Sequence, residues 1–122
     1  MKTIALPTAL LCIVILAVII TSVYSVKQLD KLIFLTESLP DEIDEETVDD
    51  IKKIEKEWNE KKEIYSAIIK YDYVYNFSRE LNTAKAGCVS DDPGTYLSAK
   101  KSMVVLLKYI RDIQSFRIDN FL

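Results

Sequence analysis

Hydrophobic and polar positions divide this chain into one unbroken apolar run and a longer amphipathic remainder. From Thr3 to Val26, 24 consecutive residues carry no charge. Their centre, Leu10-Leu11-Cys12-Ile13-Val14-Ile15-Leu16-Ala17-Val18-Ile19-Ile20, holds no polar side chain except a thiol. A helix rises about 1.5 Å per residue, so about 20 apolar residues cross a hydrocarbon layer of about 30 Å. Beyond Val26 the apolar residues become intermittent and recur every three or four positions, the spacing of a buried helix face.

The breakers Pro40, Gly87 and Pro93-Gly94 divide this pattern into helices over about 26–38, 44–86 and 93–115. The first continues from the apolar run without a break and carries a stripe of Val26, Leu29, Leu32 and Ile33. Leu39-Pro40 ends it, because a residue before proline is pushed out of the α region. The second starts at Asp44-Glu45-Glu46-Thr47, a capping carboxylate followed by anions that suit the helix dipole. Its seam is Ile51, Ile54, Trp58, Lys61, Tyr65, Ile68, Asp72 and Tyr75, stepping by three and four. Within it, Tyr71-Asp72-Tyr73-Val74-Tyr75 alternates like a strand. With no turn residues around it, it reads as helix with room for a kink. The third starts at Asp92-Pro93, aspartate at the N-cap and proline at the first helical position. Its stripe is Tyr96, Met103, Leu107 and Ile110, and Phe116, Ile118, Phe121 and Leu122 form an apolar tail expected to fold back on the domain.

The fold class expected is all-α: an N-terminal transmembrane helix continuing into an extramembrane antiparallel helical hairpin or three-helix bundle. Residues 1–25 form the anchor and 26–122 the extracytoplasmic helical domain. Leu10, Leu11, Ile13, Val14, Ile15, Leu16, Val18 and Ile19 are the membrane-facing candidates. A cleaved signal peptide is the competing reading, with Lys2 as its basic region and Val23-Tyr24-Ser25 as its small-residue site. The run exceeds what a signal needs, and helical sequence continues beyond it, which favours an uncleaved signal anchor. Flanking cations are nearly balanced, with Lys2 on one side and Lys27 and Lys31 on the other. The short leading tail then sets the N-terminus in the cytoplasm, for a single pass through the plasma membrane.

Charge and chemistry narrow the function. After Val26 there are 15 basic and 19 acidic residues, a net charge of −4. That balance gives no basic face for nucleic acid and no polybasic patch for anionic lipid. Histidine is absent, so the usual general base is missing. Glycine-rich phosphate loops, nucleophile elbows and cysteine pairs at metal spacing are missing too. The chain reads as no enzyme, with no cofactor, metal or catalytic residue. The acidic run from Glu37 to Asp50 lacks the spacing and central glycine of a calcium loop and reads as a solvated turn. Asn76-Phe77-Ser78 matches a glycosylation sequon but falls within a helix. Cys12 and Cys88 lie in different environments and are not expected to pair.

The residues singled out for packing or an interface are Trp58, Tyr65, Ile68, Asp72, Tyr75, Tyr96, Met103 and Leu107. Aromatics at helical spacing are ordinarily core, and Asp72 ordinarily tilts to a helix edge. The sharper possibility is a pocket among Trp58, Tyr65, Asp72 and Tyr75, with burial raising the carboxyl pKa.

Ile54-Glu55-Lys56-Glu57-Trp58, Ile64-Tyr65-Ser66-Ala67-Ile68-Ile69, Tyr71-Asp72 and the closing Ile118-Asp119-Asn120-Phe121-Leu122 resemble the small bacterial membrane family catalogued as domain of unknown function 4363. The resemblance covers nearly the whole chain and implies an N-terminal membrane helix, a helical domain and a Gram-positive source. It implies no activity. The family pattern often has a histidine near Tyr71-Asp72, and this chain has none.

The leading functional expectation is a membrane-anchored helical interaction or scaffold protein. Its partners would be the lipid bilayer and either a second copy, as a homo-oligomer, or another membrane protein. The alternative is an extracytoplasmic sensor or ligand-binding bundle. A division- or lysis-type coiled coil ranks lower, because Pro40 and Gly87 interrupt any continuous heptad array.

Overall fold

A computed structural model describes residues 2–121, apart from the side chains of Lys2, Ile68, Arg117 and Phe121. Leu122 of the apolar tail, and the packing expected of the Ile68 and Phe121 side chains, lie outside the described residues. The described residues form four helices: α1 (Lys2–Glu37), α2 (Glu45–Ile68), α3 (Tyr71–Val89) and α4 (Pro93–Phe121). The all-α expectation holds.

α1 is a single helix with two characters. Its first half is bare: Leu10, Leu11, Ile13, Val14, Leu16 and Ile20 all expose more than half of their surface. The segment has a mean hydropathy of 2.8 and is long and apolar enough to cross a membrane. Pro7 sits near the helix start, where it forgoes one backbone hydrogen bond. From Ser25 onward the same helix turns Leu29, Leu32, Ile33 and Thr36 into a core. No hinge residue separates the halves.

The sequence pattern predicts one helix over 44–86, and the structure has two. Ile69 is extended (φ −117°, ψ 146°) and its N–H donates to the Tyr65 carbonyl at 2.7 Å; Lys70 (φ −55°, ψ 132°) completes the reversal. The physical reason is length. A 44–86 helix would run about 65 Å, whereas residues 25–37 of α1 offer only about 20 Å of apolar partner. Folding back at Ile69 lets α3 bury its own stripe, Val74, Phe77, Leu81, Ala84 and Cys88. The strand-like Tyr71–Tyr75 segment is helical, with the break just before it.

The helices close a ring in which α1 packs on α2 and α4, and α3 packs on α2 and α4. Each neighbour is antiparallel, because two contacts at each interface run in opposite chain directions: those that follow, together with Gln28 to Lys61 (α1–α2), Trp58 to Ser78 (α2–α3), Gly87 to Tyr96 (α3–α4) and Glu37 to Lys108 (α1–α4). Lys31 reaches Glu57 (3.2 Å) between α1 and α2, and Lys85 reaches Glu55 (3.1 Å) between α2 and α3. Tyr73 meets Tyr109 between α3 and α4, and Arg111 reaches Asp30 (3.3 Å) between α4 and α1. The result is an up-down-up-down four-helix bundle, with the outer part of α1 as its first member, where a hairpin or three-helix bundle is expected from sequence.

The caps follow the sequence closely. Asp44 accepts the Thr47 N–H (2.8 Å) while the Asp44 N–H donates to Thr47 Oγ1 (3.2 Å), a reciprocal capping box. Asp92 accepts the N–H and hydroxyl of Thr95 at the start of α4. Gly87 departs from expectation. It reads from sequence as a terminator, yet α3 runs on to Val89, and Gly87 is a buried contact glycine. A Cβ there would stand 2.9 Å from the Tyr96 nitrogen and 3.2 Å from its Cα. The turn itself is made by Asp91, at φ 53°. α4 also extends beyond the expected residue 115, to Phe121.

Candidate functional site

The aromatic group singled out from sequence divides between the core and the surface. Trp58 is 1% exposed and stacks on Tyr65, with centroids 5.2 Å apart and planes at 27°. Its ring also meets that of Phe77, at 4.3 Å and 56°. The Trp58 indole N–H donates to Ser78 Oγ at 2.8 Å, across from α2 to α3. This indole joins three requirements of a buried tryptophan: area, ring contact and a partner for its one donor. Tyr96, Met103 and Leu107 are buried on the α4 face of the same core.

Asp72 and Tyr75 do not join this group. Asp72 is exposed in the first turn of α3, where a negative charge suits the helix dipole. Tyr75 is 55% exposed and stacks on the exposed Tyr71 at 6.2 Å. The break at Ile69–Lys70 changes the phase of the helix, so positions that continue the α2 seam on paper face outward on α3. Trp58, Tyr65, Asp72 and Tyr75 therefore line no common pocket.

Buried polar groups mark both ends of the bundle. At the end away from the apolar run, the Tyr96 hydroxyl donates to the Pro40 carbonyl at 2.5 Å, and Lys100 donates to the Leu39 carbonyl at 2.6 Å and to Asp41 at 3.1 Å. These bonds tie the α1–α2 loop to α4. Burial pushes the Tyr96 phenol up to about 12. At the opposite end the Tyr65 hydroxyl and Ser25 Oγ are buried without a hydrogen-bond partner among the described residues. Burial raises the Tyr65 phenol well above its ordinary value, with the neighbouring Tyr24 adding to the effect. Lys61, a seam position in the sequence, is half-buried between Gln28 and Glu57 and links α2 to α1. Its hydrogen bond, followed by that of Lys31, lowers the Glu57 carboxyl.

A notch of about 230 Å³ lies beside the break, lined by Ile69, Lys70, Tyr73, Ile110, Ile113 and Gln114. It is smaller than the roughly 300–1,000 Å³ of small-molecule sites. A larger hollow of about 660 Å³, which includes Lys62, Tyr71, Tyr75 and Arg79 in its lining, is an open surface groove. The acidic run supplies caps and ion pairs, Asp44 to Thr47, Asp41 to Lys100 and Asp50 to Lys53. Among the described residues no group of three acidic, cysteine or histidine side chains could hold a metal ion. Cys12 is exposed on the apolar half of α1, and Cys88 is a buried free thiol raised by burial.

The sequence signal missed was the α3 stripe itself. Val74, Phe77, Leu81, Ala84 and Cys88 step by three and four, but half a turn out of phase with Tyr65. Comparison of the chain with protein-family models, curated proteins and solved structures finds no match.

Proposed function

We propose that the protein is a single-pass plasma-membrane scaffold, with its N-terminus in the cytoplasm and its four-helix bundle on the outer face. The observation that carries this reading is the division of α1. One helix of 36 residues is bare and apolar in its first half and is a core member of the bundle in its second. Exposed leucines and isoleucines on this scale are unstable in water and stable in a bilayer. An anchor built into the bundle core transmits position and orientation, which is the requirement of a scaffold. The reading assigns no enzymatic activity. The residues that resemble domain of unknown function 4363 are compatible with this architecture, and we propose membership of that family on the same basis.

The partner in this proposal is a second copy or another membrane protein. Crosslinking in intact membranes tests it: the reading predicts a discrete crosslinked species, and isolated monomers alone would contradict it. Protease added to the outer face should degrade the bundle and spare the anchor. Protection of the bundle from the outside would reverse the orientation.

A further inference from the structure

The end of α4 reaches the exit of the anchor. Arg111 meets Asp30 at 3.3 Å and the two helices are antiparallel. At about 1.5 Å per residue, the ten residues from Arg111 to Phe121 carry α4 about 15 Å further toward the apolar run, and with the Lys108–Glu37 contact this sets its end level with the stretch from Ile20 to Tyr24. The α2–α3 turn reaches this end of the bundle too: Lys61 pairs with Gln28, which puts Ile69 near the level of Ile20, and Ile69 and Lys70 share a notch with Ile110, Ile113 and Gln114. α1 records where the bundle ends: residues 3–18 are exposed, Ile19, Thr21 and Ser22 are half-buried, and Ser25 is buried.

Apolar side chains gather at this level on three helices. Phe116 on α4 is 69% exposed. Val23 and Tyr24 are exposed on α1. Ile64 is exposed on α2, three residues past Lys61, whose partner Gln28 places it level with Ser25. These side chains form a collar around the point where the bare helix becomes a bundle helix.

We propose that the bundle sits on the bilayer through this collar, with the α2–α3 turn and the last two turns of α4, Phe116 among them, in the headgroup region. The inference rests on the anchor reading given above. Continuity identifies the occupant: the collar abuts an apolar helix that is bare on every side, so what surrounds that helix also reaches the collar. Tyrosine, an apolar ring with a polar tip, is suited to this depth, and Tyr24 is exposed there. Charge is not the attraction. In sequence Lys62 is followed by Glu63, Lys70 by Asp72 and Arg117 by Asp119, so the collar is nearly balanced. Seating is therefore independent of anionic lipid.

The test uses the full chain in phosphatidylcholine vesicles, with nitroxide labels and depth read from collisions with oxygen against a water-soluble nickel complex. Wild type labels at Cys12, since Cys88 is buried. Cys12→Ala combined with Phe116→Cys, Val105→Cys or Val89→Cys labels the collar, the bundle flank and the far end; Val105 and Val89 are both well exposed. The expected result is a deep label at Cys12, an interfacial label at 116 with an oxygen preference several-fold above that at 105, and water-exposed labels at 105 and 89. The same depth at 116 is expected when phosphatidylglycerol is added. A deep Cys12 with 116 as wet as 105 overturns the seating and leaves the anchor intact. A label at 116 shielded from both reagents means protein contact and also overturns it. A wet Cys12 overturns the anchor reading first. Phe116→Trp supplies a second readout free of the label: lipids brominated in their tails should quench it beyond the background of buried Trp58, and unchanged emission would count against the seating.

Discussion

Phe77→Ala and Tyr75→Ala separate the four-helix bundle from a single long second helix. A continuous seam from Ile51 places Tyr75 inside and Phe77 outside. In the structure Phe77 is fully buried with its ring 4.3 Å from Trp58, and Tyr75 is more than half exposed. Removing a buried phenylalanine costs about 3–5 kcal/mol, through lost transfer energy and the cavity left behind. Exposed substitutions usually fall within about 0.5 kcal/mol, and the Tyr71–Tyr75 stack is itself exposed, so Tyr75→Ala should stay close to that range. In a domain of this size 1 kcal/mol moves the melting temperature by about 4–8 °C, so Phe77→Ala should lower it by at least about 12 °C. The assay is thermal unfolding of the detergent-solubilised chain, followed by circular dichroism and by Trp58 emission. Trp58 emission should also shift to the red in Phe77→Ala, because its ring partner is gone. Equal losses in the two variants, or a larger loss for Tyr75→Ala, would refute the break at Ile69–Lys70.

Gly87→Ala should destabilise by about 1–3 kcal/mol before a helix-propensity gain of about 1 kcal/mol is subtracted, since the new methyl meets the Tyr96 backbone; urea unfolding measures it, and a net gain would restore Gly87 as a terminator. Tyr65→Phe should be neutral or stabilising by about 1 kcal/mol, because it deletes a buried hydroxyl without a partner, whereas Tyr96→Phe should cost about 1 kcal/mol by losing the bond to Pro40; the pair is compared in the same urea series. Stability should fall on acidification. Hydrogen bonds from Thr47 hold the Asp44 carboxyl below its ordinary value, and those from Thr95 do the same for Asp92. A depressed folded pKa gives stability that is present above the unfolded value of about 3.9 and is lost as pH falls through the folded one. Asp44→Asn with Asp92→Asn keeps both caps and should flatten the acid limb in part, with Glu57 retaining the remainder; an unchanged profile would exclude the caps as its source.

Much of this architecture was legible in the residues because local rules and tertiary packing agree there. The Asp44 and Asp92 caps, the Pro40 stop and the stripe of Tyr96, Met103 and Leu107 all appear where their chemistry places them. The α2–α3 turn was hidden because it uses no glycine or proline. Its trace is a phase jump: nine residues separate Tyr65 from Val74, about two and a half turns, so the two core stripes lie on opposite sides of any single helix. That jump also explains Asp72 and Tyr75, which continue the first stripe in number and leave the core in space. Gly87 misled for a related reason. Glycine marks both helix ends and close helix approaches, and only the position of Tyr96 distinguishes them.

The central claim is that α1 is one rigid helix from membrane to core. Electron–electron distance measurement between nitroxides at Cys12 and at Val105→Cys tests it in the reconstituted full chain. By the Arg111–Asp30 register, position 105 lies level with Thr36, 24 residues from Cys12, or about 36 Å along the axis. The account predicts a single narrow distribution somewhat above that distance. A broad or bimodal distribution would reveal a hinge at the membrane exit, and loss of the Cys12 label from the mature chain would show a cleaved signal in place of an anchor.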